Sequence, residues 1–223
     1  MVLPGIIGAA WIFRLTRRMP ETAASSKVQK TSLIAGSASA AALVVTVCAL
    51  RAIGYMGVIT YLPTLLTESA GLSTLLSSLV VTIMLFFGVA GQLAGGRLSD
   101  KYGRKRMLVA GLVLAIPCFL LIFAGGFLMY AGIMSYAFFA SFCYVTSVTM
   151  TQELLPGKTG LASGLTLGFT MGLGGFGAAA VGLAADITGN LVFALSLLVI
   201  PIILAPVLAL FVRYKTLDAS ATA

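Results

Sequence analysis

The chain has 223 residues, 60% of them apolar and 9% charged, with 14 Lys and Arg against six acidic residues and no His. A soluble domain carries about 25% charged residues, so this chain lacks the charge to cover a water-facing surface, and its apolar content excludes disorder. The apolar residues come in long runs without the alternation over about 10 residues of a membrane β-barrel. What remains is an all-α membrane protein, a bundle of transmembrane helices that satisfy their own backbone polar groups.

In chain order, residues 1–13 (MVLPGIIGAAWIF) are apolar but short, and Arg14 follows rather than precedes them, the reverse of a signal peptide. They read as the stub of a preceding transmembrane helix. The polar stretch 14–32, with Arg14, Arg17, Arg18, Lys27 and Lys30, reads as a cytoplasmic linker. Six apolar runs follow, at about 33–66, 75–96, 107–124, 127–150, 160–184 and 190–212, and 213–223 forms a polar cytoplasmic tail. A helix needs about 20 residues to cross the hydrocarbon, and 107–124 is the marginal case.

The first run has room for more than one crossing, and charge parity makes it a single one. Both 14–30 and the gap 97–106, with Arg97, Lys101, Arg104, Lys105 and Arg106, carry the excess of cations expected on the cytoplasmic side. An even number of spans must separate them. Run 75–96 is one span, so 33–66 is the other, tilted or extended past the membrane. The count gives six spans with both termini cytoplasmic: 13 cations lie inside, and the outer loops near 67–74, 125–126 and 185–189 hold none. The same placement explains the net charge of +8 without nucleic acid as a partner; the lipid bilayer is the expected one. Cys48, Cys118 and Cys143 lie inside apolar runs and read as packing residues. With no His and no clustered Cys, neither a transition-metal site nor a cofactor is expected. No His-based triad and no phosphate-cradling loop is present, so neither an enzyme nor an ATP-driven pump is indicated.

The most specific feature is Gly96-Arg97-Leu98-Ser99-Asp100-Lys101-Tyr102-Gly103-Arg104-Lys105-Arg106. Gly96 is expected to admit a neighbouring helix, Gly103 to permit a tight turn, and Asp100 to bond helix N–H groups or an Arg. This pattern resembles the signature loop of the major facilitator superfamily. The resemblance implies that six spans are the C-terminal half of a twelve-helix transporter, with a central cavity between two halves. Gln152-Glu153-Leu154-Leu155-Pro156-Gly157-Lys158, then Gly160-Leu161-Ala162-Ser163-Gly164 and Gly172-Leu173-Gly174-Gly175, resembles the fosmidomycin-resistance branch of drug efflux transporters. That likeness implies a proton-driven antiporter in the bacterial inner membrane, exporting a small drug-like compound by alternating access. It also leaves open a non-transporting half, one that self-associates or pairs with a separate N-terminal six-helix half.

Arg51 is the one charge deep in an apolar run, and such a residue is a functional candidate by default. Tyr55 shares its helix face. Arg51 fits either of two roles, holding an anionic substrate group or pairing structurally with a carbonyl or carboxylate. Tyr130, Ser141, Tyr144 and Thr151 fall near one face of the fourth span and suit a polar path. Glu153 lies on the same side as Asp100 and Arg104, which predicts an Asp–Arg–Glu charge cluster; the resemblance implies that it changes with the transport cycle. Gly160, Gly164, Gly168 and Gly172 recur every four residues and predict a close-packing face on the fifth span.

Overall fold

The computed structural model describes residues 35–212, all within one compact unit. The stub, the linker and the C-terminal tail lie outside the described residues. Every regular element among those described is helical: α1 (Ala35–Ala70), α2 (Thr74–Tyr102), α3 (Arg104–Leu121), α4 (Gly126–Leu154), α5 (Thr159–Ser163), α6 (Thr170–Thr188), α7 (Leu191–Ser196) and α8 (Val199–Phe211), with a π-helical segment, Gly164–Phe169, joining α5 to α6.

The first apolar run is a single helix of 36 residues with Pro63 inside it. Five helical segments are long and apolar enough to cross a membrane: Ser39–Ala70, Thr74–Tyr102, Gly126–Leu154, Thr159–Thr188 and Leu191–Phe211. The expected third span, α3, is not among these five: it has 18 residues and opens on Arg104, Lys105 and Arg106. Helices outrun the apolar runs because backbone bonding continues where the side chains turn polar. Arg97 and Lys101 therefore belong to the end of α2 rather than to a loop.

The connections are short, and the local sequence specifies them. Gly103 alone separates α2 from α3; its φ of +94° is open to glycine, and its N–H donates to Ser99 O at 3.1 Å. The Ser73 hydroxyl caps α2 by accepting from Leu76 N, and Asn190 Oδ1 caps α7 by accepting from Phe193 N at 3.0 Å. Gly189, left-handed at φ +62°, ends α6. The break between α7 and α8 has its cause in Pro201. With no N–H there, the Leu197 carbonyl takes a tighter bond from Ile200 N at 3.1 Å.

The central pair is α1 and α4: half of the most apolar stretch of each is buried inside the protein, against 22% for α2 and for the α5–α6 segment. Around them, α2 and α3 pack on α4, α6 and α8 pack on α1, and α3 meets α8. Two apolar cores result. One gathers Leu62, Leu66, Met84, Phe119, Ile133 and Tyr136. The other gathers Val44, Val47, Leu108, Leu112, Phe142 and Met150. Along α1 and α4 the two cores meet at Arg51–Tyr55 and Ala140–Tyr144, so the polar residues occupy the waist between them.

Glycine sets the close contacts, though not at Gly96. A Cβ on Gly96 would meet nothing nearer than Val145 Cγ1 at 3.8 Å, an ordinary contact. The near approach of α2 to α4 is at Gly91 and Gly95, where a Cβ would run into the carbonyl oxygens of Phe138 and Phe142. One residue of offset is about 100° of helix rotation, enough to turn Gly96 away from α4. The stripe on the fifth span differs from expectation in the same way. Gly160, Gly164, Gly168 and Gly172 have no atom of another element within 4 Å of a Cβ position. The glycines of that span that do pack are Gly174, Gly177 and Gly182, which meet Ala52, Ile53, Met56 and Tyr61 of α1. The π-helical segment Gly164–Phe169 runs through the first set and breaks its helical phase.

Candidate functional site

The waist of the bundle opens as a small cleft lined by Arg51, Ala52, Tyr55 and Met56 of α1, Gln92 of α2, Ser141 and Tyr144 of α4, and Met171 of α6. Arg51 and Tyr55 reach it together because residues four apart share a helix face. Of the polar residues expected on α4, Ser141 and Tyr144 line the cleft. Tyr130 packs instead against the first apolar core, and Thr151 is buried with its hydroxyl donating to Ser147 O at 2.9 Å. Gln92 is an addition. A lone amide with no partner at helical spacing carried no pattern, and its only signal was being the sole amide in run 75–96.

Arg51 is held but not neutralised. Its Nη1 donates to Ala140 O at 3.3 Å, and its guanidinium carbon stands 5.0 Å from the centre of the Tyr144 ring, within cation–π range. The Nε is buried without a hydrogen-bond partner. Both ion pairs between described residues belong to Arg104, and no described carboxylate pairs with Arg51.

Those pairs make up the second cluster. Arg104, in the first turn of α3, places Nη1 2.5 Å from Glu153 Oε1 at the end of α4, and Nη2 3.8 Å from Asp100 Oδ1 at the end of α2. Nη1 meets no partner in hydrogen-bond alignment, so the contact with Glu153 is a close ion pair rather than an aligned bond. Three helix ends are tied by one guanidinium. A basic first turn opposes the positive end of its own helix dipole, and the two carboxylates offset that. Lys105 reaches the opposite kind of helix end, donating from Nζ to Leu210 O in the last turn of α8 at 2.9 Å. Lys101 and Arg106 are exposed, with the Lys101 ammonium 5.4 Å from the Tyr102 ring centre.

The three cysteines are buried and free. Among the described residues no group of His, Cys, Asp or Glu is arranged to hold a metal ion.

Comparison with known proteins places this geometry in a family. A family model described as Major Facilitator Superfamily matches residues 1–179 and 44–222. The fosmidomycin resistance protein of Escherichia coli K12 is 38% identical over 125 residues, which is 55% of this chain and 30% of that protein. The uncharacterised MFS-type transporter YfnC of Bacillus subtilis 168 is 34% identical over 110 residues, 49% of this chain and 27% of its own length. Among solved structures, a crystal structure of the Major Facilitator Superfamily transporter FucP in the outward conformation aligns with a TM-score of 0.69 at 18% identity, covering 79% of this chain and 43% of that one. A structure of the E. coli fucose:proton symporter FucP aligns at 0.69 and 18%, covering 82% and 46%. The matches thus span less than half the length of each of these relatives. The loop at Gly96–Arg106, the all-helical bundle and a family match running over nearly the whole sequence agree: the chain belongs to the Major Facilitator Superfamily.

Proposed function

We propose that this chain is one half of a secondary transporter that exports a small drug-like compound by alternating access, coupled to protons, in the inner membrane of a bacterium. The observation that carries the reading is the cleft at the waist of the bundle. It holds Arg51, which no described carboxylate pairs, between two apolar cores, and a charge inside an apolar span is a functional candidate by default. Arg51, Tyr55 and Tyr144 form this chain's side of the substrate path. Asp100, Arg104 and Glu153, with Gly96, Lys101, Gly103, Lys105 and Arg106 around them, form a latch that is made in one state of the cycle and released in another. Drug efflux as the direction is supported by the likeness to the fosmidomycin resistance protein. The proposed topology has six spans, with α3 as the third, and both termini in the cytoplasm.

Inside-out membrane vesicles carrying the chain test this. With an imposed proton gradient they should accumulate labelled fosmidomycin, and collapse of the gradient should abolish accumulation. Accumulation that ignores the gradient would refute proton coupling, and none at all from inserted chain would refute export by this chain alone.

A second reading is favoured by the open stripe at Gly160, Gly164, Gly168 and Gly172. Small-residue faces draw helices together in a bilayer, and lipid is a poor cover for Arg51. The chain would then work only when paired, with a second copy of itself or with a separate N-terminal six-helix half. Single-molecule photobleaching in sparsely loaded liposomes distinguishes the two. Pairs or larger assemblies should carry any uptake, and uptake by strictly single chains would overturn the pairing requirement.

A further inference from the structure

Gly88 of α2 is buried beside the cleft, and its lack of a side chain lets two hydroxyls come close to it. A Cβ at that position would stand 3.0 Å from Ser141 Oγ and 3.4 Å from Tyr55 Oη. Two hydroxyls from different helices therefore converge on the Gly88 backbone, and a side chain there would crowd both. Neither has a hydrogen-bond partner among the described residues. Both residues line the cleft, so a bound ligand can supply the missing partners. Arg51, one helical turn from Tyr55 on the same face, has its own unmet capacity at Nε and a single long bond at Nη1. The rest of the lining includes Ala52, Met56 and Met171, an apolar wall in which the flexible thioethers fit varied shapes.

We propose that the cleft takes a small organic anion at two points: Arg51 receives the acidic group, and the Tyr55 and Ser141 hydroxyls beside Gly88 receive a hydrogen-bonding group. This rests on reading the cleft as the substrate path. A cationic ligand is disfavoured, because no carboxylate lines the cleft and Arg51 would repel it. A purely apolar one is disfavoured because it leaves both hydroxyls and the guanidinium desolvated and unpaired. Gly88 sets how closely the two hydroxyls can gather, and Ser141 supplies one of them. A compact aromatic acid with a para hydroxyl carries both groups at opposite ends, and 4-hydroxybenzoate is the probe.

Isothermal titration of the purified full chain in lipid nanodiscs compares three ligands: 4-hydroxybenzoate, 4-hydroxybenzamide without the charge, and benzoate without the hydroxyl. The acid should bind about 10-fold or more tighter than the amide, and about 5-fold tighter than benzoate, as expected for losing a charged and a neutral hydrogen-bonding partner respectively. Arg51→Gln should erase the preference for acid over amide. Gly88→Ala and Ser141→Ala should erase the preference for the hydroxyl and leave the preference for charge. Equal affinity for acid and amide, or no binding of 4-hydroxybenzoate at about 10 mM, a concentration that would detect even the weakest specific sites, overturns the proposal. So does a hydroxyl preference that survives both Gly88→Ala and Ser141→Ala. Titration needs no translocation. A chain that shows these preferences but moves nothing across a membrane therefore counts against the transport reading alone.

Discussion

At Gly95 the entire side chain is one hydrogen, and the Phe142 carbonyl of α4 occupies the space that a methyl would need. Backbone cannot step aside as the end of a flexible side chain can, so Gly95→Ala must push α2 and α4 apart. Overpacking of this kind costs about 1–3 kcal/mol. Gly160→Ala adds the same methyl where no other element comes within 4 Å and should leave stability unchanged or slightly raised, since alanine favours helix. Thermal unfolding in a single detergent checks the pair, and a Tm for Gly95→Ala at or above that of Gly160→Ala would refute the packing argument. The contrast also marks the limit of reading glycines from sequence. Gly95 and Gly96 are adjacent and chemically identical, and which of them faces α4 depends on a helix rotation that no local pattern records. Arg51 and Tyr55 were legible for the opposite reason, because a lone charge in an apolar run is conspicuous and the i, i+4 rule gives its neighbour. Gln92 reaches the cleft only through the way α2 lies against α4, which is a tertiary fact.

At the scale of the element, the helices themselves were legible in the hydropathy and their ends were not. Runs of apolar side chains report where lipid or core begins, whereas a helix stops where a cap, a glycine or a proline stops it, as at Gly103, Gly189 and Pro201. The π-helical turn at Gly164–Phe169 had no visible signal, since one extra residue in a turn leaves composition untouched. The Asp100–Arg104–Glu153 cluster joins three such ends. Asp100 is 72% exposed and Glu153 45% exposed, so solvent screens both, and pairs of this kind contribute about 0–1 kcal/mol. A contact so weak in stability can still bias two states of similar energy. In a complete transporter containing these helices, Asp100→Asn and Glu153→Gln should each slow transport severalfold with expression and Tm nearly unchanged. Glu153→Gln should have the larger effect, because its carboxylate is the closer partner of Arg104. Normal transport rates in both variants would remove the latch from the mechanism.

At the scale of the whole molecule, side of the membrane is the property most directly open to test. The signature-loop face and the turn at Gly71–Ser73 should lie on opposite sides. Ser99 is a poor reporter because it is 3% exposed and bonded to Gly96 O, whereas Lys101 and Ser73 are exposed. The native cysteines are buried and should stay silent. In intact cells an impermeant maleimide should label Ser73→Cys at once and Lys101→Cys only after permeabilisation. Labelling in the reverse order would invert the topology, and prompt labelling of both would break the span count.

The buried guanidinium has an electrical consequence. Arg51 sits near the middle of α1, so its charge lies within the voltage drop of an energised membrane, where a full crossing is worth about 2.3 kcal/mol per 100 mV. If the chain moves as the proposed half of a transporter, then with no anion bound it would carry one positive charge through whatever fraction of that drop its rearrangement spans, and an inside-negative potential would hold it toward the cytoplasm. With an anion seated on Arg51 the two charges cancel and the field loses its grip. Membrane voltage would then act on the return stroke made without the anion and not on the anion-loaded stroke. Turnover in voltage-clamped vesicles would show this asymmetry, or its absence, directly.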